Sequence, residues 1–356
     1  MKERIIENSQ IGRKYCAHQT DGMIRKPMKV AMSTTQSKIQ NLKSKTPLIL
    51  GLVLFYTSFL GFGQKKYLTR ELQIENDNDA YTLNLSRDQY YSNGVAIRYR
   101  ILRDSTKWKS GTEKQIRSYE INHRIYSPRH LWWTEMEEMD RPYAGQITLA
   151  ANNEYYYKNQ SYLKLKAELG WMGPSLRTGD LQYHWHKTFG MQLPFGWDYE
   201  INDAPVINTY GTFSQTLVRG KTLDLTTESN LALGTTFTHA RQELMIRFGT
   251  SKPIQNSTQY NGVLGIENKG PGNQEFYFFL SPGLEYVAYN ATIEGNLIGK
   301  ESIYTETREP WVFQMRAGIM ASWTKFDFAL FYYRRTKETT EATFHKYVGI
   351  RMNQRF

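Results

Sequence analysis

The sequence predicts an all-β fold: a transmembrane antiparallel β-barrel of about twelve strands, with a short helix in an extracellular loop. Residues 161–171, SYLKLKAELGW, place Leu163, Leu165, Ala167, Leu169 and Trp171 on one face and Lys164, Lys166, Glu168 and Gly170 on the other. Residues 311–323 repeat this alternation, with Trp311, Phe313, Met315, Ala317, Ile319, Ala321 and Trp323 against Gln314, Arg316, Gly318 and Ser322. A period of two is the strand signal, and aromatics near the run ends suit a membrane-interface girdle. The mean hydropathy of −0.60 argues against a bundle of transmembrane helices but is what a half-polar barrel has.

In chain order, such runs lie near 68–76, 92–102, 115–126, 143–157, 161–171, 205–218, 221–233, 238–250, 274–292, 311–323, 325–335 and 344–356. Their even number suits an antiparallel barrel, because closure removes the exposed edges. The last run ends GIRMNQRF, with Val348, Ile350, Met352 and Phe356 on one face. A terminal aromatic there looks like the sorting signal of bacterial outer-membrane barrels. A secreted β-sandwich would turn a polar face outward, whereas here charges share one face and apolar residues the other, strand after strand. Inward-facing Arg98, Arg100, Lys164, Lys166, Glu168 and Glu228 predict a filled barrel without a wide channel. With both termini periplasmic, residues 77–91, 127–142 and 172–204 form extracellular connections. Residues 251–273 then form a periplasmic turn, which is long for one.

The first 64 residues have another character. Residues 47–63, PLILGLVLFYTSFLGFG, form the only long apolar run, preceded by Lys38, Lys43 and Lys45. A basic region, an apolar stretch and small residues at its end read as a secretory signal peptide cleaved near Gly63–Gln64; an uncleaved anchor is the other reading. The polar stretch 1–31 lies upstream of a normal signal, with Met23, Met28 and Met32 as alternative starts. The chain thus divides into an N-terminal extension and signal peptide, 1–64, and a barrel, 65–356.

The formal charge of +11, from 45 Lys+Arg against 34 Asp+Glu, suggests nucleic acid or an anionic membrane as partner. Removing residues 1–64 takes ten basic and three acidic residues and leaves a net +4. No zinc-finger, P-loop or RNA-binding motif supports a nucleic-acid partner. Cys16, the single cysteine, excludes a disulfide scaffold and a Cys-rich zinc site.

Three clusters fall in the predicted extracellular connections. Glu75-Asn76-Asp77-Asn78-Asp79, followed by Tyr90-Tyr91-Ser92-Asn93-Gly94, offers hard oxygen ligands of the kind Ca²⁺ takes; a polar turn has the same composition. Asp140-Arg141-Pro142-Tyr143-Ala144-Gly145 places an arginine at a strand top, where its fork suits a phosphate or holds Asp140. The longest connection contains Gly173-Pro174, Gly179 to Lys187 and Pro194-Phe195-Gly196-Trp197. Residues 179–189 predict a short helix with Gln182 and His186 on one face and His184 on another. A histidine there suits a general base or a structural role.

Together these motifs resemble the outer-membrane lipid A 3'-O-deacylase family over essentially the whole chain from about residue 68. The resemblance rests on END with YSNG (75–77, 91–94), RPYAG (141–145), the GP…Q-x-x-x-H…GW block (173–197) and the terminal Phe356. It implies a twelve-stranded barrel with an active site between the wall and a helix of an extracellular loop. It implies Ca²⁺-dependent hydrolysis of an ester-linked acyl chain of lipid A, with lipopolysaccharide as substrate and the outer membrane as location. His186 would be the general base, Gln182 would stand one turn before it, and Asn76 and Asp77 would belong to the metal-binding and catalytic group. Ser92 would take a hydroxyl-bearing site position, and Arg141 would position the substrate or its phosphate. Glu200 stands where a glutamine is expected after Gly-Trp, and the family's basic pair is reduced to Arg141 beside Asp140.

Two other functions fit the residues. A serine lipase-type barrel would use Ser92 as nucleophile, His186 as base and Asn76 as orienter. A porin-like barrel would have no catalytic site.

Overall fold

Each strand pairs antiparallel with its sequence neighbours, and the first pairs with the last. The strands are β1 (Arg70–Asn78), β2 (Tyr90–Leu102), β3 (Thr112–Ser127), β4 (Ala144–Tyr157), β5 (Ser161–Met172), β6 (Ala204–Arg219), β7 (Leu223–Gly234), β8 (Phe237–Thr250), β9 (Glu275–Asn290), β10 (Trp311–Ser322), β11 (Phe326–Arg335) and β12 (His345–Arg355). They form one closed barrel, sealed from Glu71 opposite Arg355 to Asn78 opposite Val348. The computed structural model describes residues 67–82, 88–108, 111–266 and 274–356. The expected presequence and its cleavage point lie outside them.

The side-chain alternation follows the predicted period and inverts the burial of a water-soluble protein. On β5, Leu169 is 61% exposed while Glu168 is wholly buried. The apolar face is turned outward to lipid, and the charges face the lumen. There they are mutually satisfied. Arg100 bonds Glu71 at 2.6 Å and Glu154 at 2.5 Å, and Arg355 ties Glu71 to Asp327 across the closing seam. Each charge would be costly alone in this setting, so the pairing is a condition of a filled barrel.

The long connection after β8 is more than a turn. Residues 251–266 enter the barrel end, where Ile254, Tyr260 and Leu264 pack on Ile116, Tyr156 and Tyr162. Lys114 donates to the carbonyls of Gln255 and Gly262, and Arg100 donates to that of Asn261 at 2.8 Å. The segment is a plug made of two 3₁₀ turns, Ile254–Asn256 and Thr258–Tyr260. Above it the lumen keeps a cavity of about 380 Å³ lined by Asp77, Arg98, Arg124, Glu285 and Arg335 among others.

The connections β1–β2, β3–β4 and β5–β6 gather at the opposite end. The last of them carries helix α1, Thr178–Phe189. It begins after Arg177, in the left-handed region at φ 54°, and stops at Gly190, φ 66°, where a residue without Cβ is unstrained. Gly145 of the RPYAG motif sets its seat: a Cβ there would lie 2.2 Å from Thr178 Oγ1. Only glycine lets the first turn of α1 approach the outer wall so closely.

Candidate active site on the outer wall

The buried face of α1 carries Thr178, Gln182 and His186, while His184 on another face is exposed. This is the predicted i, i+4 arrangement, and it points both side chains at the barrel wall. The wall answers with a bulge. The β2–β3 register shifts between Tyr91 and Asn93, next to Tyr90 at φ 58°. A non-glycine residue in that conformation carries strain of order 1–2 kcal/mol. The Tyr90 hydroxyl offsets it by donating to Asp140 Oδ2 at 2.7 Å and accepting from the Thr343 amide at 2.9 Å. The bulge brings Ser92 beside Ser127 at the top of β3, with the two hydroxyls 3.2 Å apart.

A continuous polar chain then runs from wall to helix. Gln182 Nε2 donates to Asp88 Oδ2 at 2.9 Å and to Ser127 Oγ at 3.3 Å. Trp197 Nε1 donates to Gln182 Oε1 at 2.9 Å, which fixes the amide with its NH₂ toward Asp88. His186 Nε2 lies 2.8 Å from Asp88 Oδ2, and Nδ1 meets the carbonyl oxygen of Gln192. A carbonyl only accepts, so Nδ1 carries a proton and Nε2 is the nitrogen that exchanges one. Burial would favour neutral imidazole, but the hydrogen bond and charge of Asp88 overcome it and raise the His186 pKa. His186 in turn holds Asp88 below its ordinary value despite burial.

Asp79 stands next to Asp88. Its Oδ2 accepts from the Gln89 amide at 2.5 Å, while its buried Oδ1 has no hydrogen-bond partner. Burial, followed by the charge of Asp88, raises its pKa well above the usual carboxylate range. The two abutting buried carboxyl groups share a hydrogen bond when Asp79 is protonated; with both ionised they offer oxygens of the kind a hard cation takes. No described set of three His, Cys, Asp or Glu residues has metal-binding geometry, so backbone, hydroxyl or water oxygens would have to complete such a site.

The structure places the other expected site residues as follows. Asn76 and Asp77 do not converge on one ion, because neighbouring residues of a strand face opposite sides. Asn76 is on the outer side, donating to the Gly94 carbonyl and accepting from Tyr81. Asp77 faces the lumen and accepts from Tyr91 at 3.1 Å. Arg141 is buried between loops, donating to Thr292 Oγ1 at 2.9 Å and Glu338 at 3.2 Å and stacking 5.0 Å from Tyr126. Its fork is spent on neighbouring loops rather than presented to a substrate. Ser92 bonds Ser127 and the Ile125 carbonyl, and among the described residues no hydrogen bond joins it to His186. Glu200 accepts from the Gly145 amide at 3.0 Å and docks the long loop onto RPYAG. Burial lifts its pKa to about 8.

Asp88 and Ser127 were not singled out from the sequence, and Asp79 was seen only as part of a polar run. The available signal was an acid two residues before Tyr90-Tyr91-Ser92-Asn93-Gly94, together with the outward parity of the residue facing the bulge.

Residues 48–356 match the family described as outer membrane protein LpxR. Among solved structures, the LpxR protein from Salmonella typhimurium is 18% identical, with 80% of this chain and 100% of that one covered at a TM-score of 0.65. The β-domain of the Bordetella autotransporter BrkA is 9% identical, with 81% and 98% covered and a TM-score of 0.41. No curated protein matches by sequence.

Proposed function

From the chain's membership of the outer membrane protein LpxR family, which places it in the bacterial outer membrane among proteins that remodel lipid A, we propose that it removes an ester-linked acyl chain from lipid A by water attack at the outer-wall site. The supporting observation is the buried His186–Asp88–Gln182–Ser127 chain between α1 and the wall. It lies at the barrel end that meets the outer leaflet, where lipid A resides. Leu181, Trp185 and Phe195 remain about half exposed beside it, an apolar edge suited to acyl chains.

In this reading His186 Nε2 takes the proton of the attacking water and returns it to the sugar oxygen as the ester breaks. Gln192 holds the ring's other proton and so selects the basic nitrogen. Asp88 lies at this same Nε2 and stabilises the charged imidazole, while the Gln192 carbonyl on the far nitrogen takes the orienting place that the acid holds in a hydrolytic triad. Gln182, fixed by Trp197, orients Asp88. Asp79 and Asp88 would hold Ca²⁺, which when bound would polarise the ester carbonyl.

The test is fatty-acid release from lipid A by the purified protein in detergent, followed by mass spectrometry. Release that Ca²⁺ chelation stops and added Ca²⁺ restores is expected. Absence of release with Ca²⁺ present would overturn the proposal.

A further inference from the structure

Next to the catalytic group, on the far side of Asp79, lies a second pocket of about 170 Å³. Its walls are Asp79, Thr82, Gln89, Arg129, Thr343, Phe344 and Lys346. Two of these are cations, Arg129 and Lys346, and no described carboxylate forms an ion pair with either. This is unusual in a protein whose lumen arginines are paired nearly throughout. Arg334 lies across the β11–β12 ladder from Lys346 and 4.9 Å from the exposed ring of Phe344, adding a third positive charge at the margin. The Gln89 side chain supplies a neutral amide.

The pocket is built on the same frame as the catalytic group. The Arg129 backbone amide is held by Asp140 Oδ1 at 2.9 Å. Thr343 is held by Tyr90, which donates to the other oxygen of Asp140. The strained Tyr90 that precedes the bulge therefore stands between the Ser92–Ser127 pair and the cationic wall. Asp79 separates the two, with one face toward Asp88 and the other toward the cations.

An arginine fork and a lysine at an outer-wall pocket suit a tetrahedral oxyanion at the head-group level of the membrane. We propose that Arg129 and Lys346 bind a phosphate monoester on the substrate's sugar and so position the ester over His186. This rests on the lipid A reading above and names the substrate feature that the site recognises. It also reassigns to Arg129 and Lys346 the role expected of Arg141.

The experiment compares wild type with Arg129→Gln/Lys346→Gln on phosphorylated lipid A and on the same lipid A after phosphate removal. For the phosphorylated substrate KM should rise roughly ten- to a hundredfold, the range for losing charge-assisted hydrogen bonds, while kcat stays nearly unchanged. For the dephosphorylated substrate the two proteins should behave alike. Equal losses on both substrates, or no change on either, would overturn the proposal. Binding of the two lipids to His186→Ala protein gives a readout independent of turnover. If wild type hydrolyses neither lipid but binds the phosphorylated one more tightly through Arg129 and Lys346, the deacylase reading fails and the pocket stands. Competition by inorganic phosphate alone, with no preference between the lipids, would mark a free-phosphate site and contradict the head-group assignment.

Discussion

The barrel lumen and the outer-wall pocket are both lined by charged residues, but their chemistry is organised in opposite ways. In the lumen Arg98, Arg100 and Arg355 near the seam all pair with carboxylates. Arg355 alone contacts Glu71 and Asp327 and also donates to backbone carbonyls. On the wall, Asp79 keeps an oxygen without a partner, and Arg129 and Lys346 have no described counterion. Ion pairing across the seam stabilises and closes the barrel; cations without a carboxylate partner on the wall leave charge to meet a ligand. The difference is between paired charge inside and unpaired cations outside, and the proposed chemistry uses the outside.

Substitutions on each side test that division, and the largest effect should come from Asp79, in the turn after β1. Asp79→Ala should lower acyl release by a hundredfold or more, on the order of losing one electrostatic stabiliser of the reaction, while the lumen-facing Asp77→Ala stays within roughly threefold, as expected of a group that touches no reacting atom. Initial rates on purified, folded protein decide this; equal losses would dissolve the distinction between the faces. Gln182→Ala should cost about ten- to a hundredfold, because Asp88 loses its orienting donor, an effect of the size seen for supporting partners of catalytic groups. Gln182→Glu should not rescue it, since a carboxylate cannot donate to Asp88.

On the lumen side the sign reverses. Arg355→Ala leaves Glu71 and Asp327 unpaired in the seam and should destabilise the barrel by about 3–5 kcal/mol. The unfolding midpoint in guanidinium should fall while the specific activity of the folded fraction is retained. Loss of activity without loss of stability would contradict the assignment.

The smallest effect concerns Glu200. Its pKa of about 8 lies above that of an unfolded carboxylate, so the fold favours its protonated form. Loop docking should therefore weaken as pH rises from the ordinary carboxylate pKa toward 8, and change little above that. Glu200→Gln keeps an acceptor for the Gly145 amide and should flatten this dependence, read as protease susceptibility of the long loop between pH 5 and about 8.

How far the sequence revealed this division depends on the range of the interactions. The strands were legible because a period of two is local, and all twelve runs lie where the alternation puts them. The shared face of Gln182 and His186 was legible for the same reason in a helix. The plug was not, because residues 251–266 have no periodicity and are held by contacts with distant strands. Asn76 and Asp77 suggest shared ligation as sequence neighbours, whereas strand geometry sends them to opposite faces. The Arg141 fork that suits phosphate bonds Thr292 and Glu338 here, contacts that are distant in sequence. Asp88 was hidden because its partner, His186, is distant in sequence and arrives only when α1 folds back on the wall.

The most direct test of chemistry on the outer wall is the mass of lipid A from cells expressing wild type or His186→Ala at equal levels of folded barrel. Wild type should yield lipid A lighter by one ester-linked acyl chain, and His186→Ala should leave it intact. Lipid A equally deacylated in both would contradict the placement of the reaction at His186.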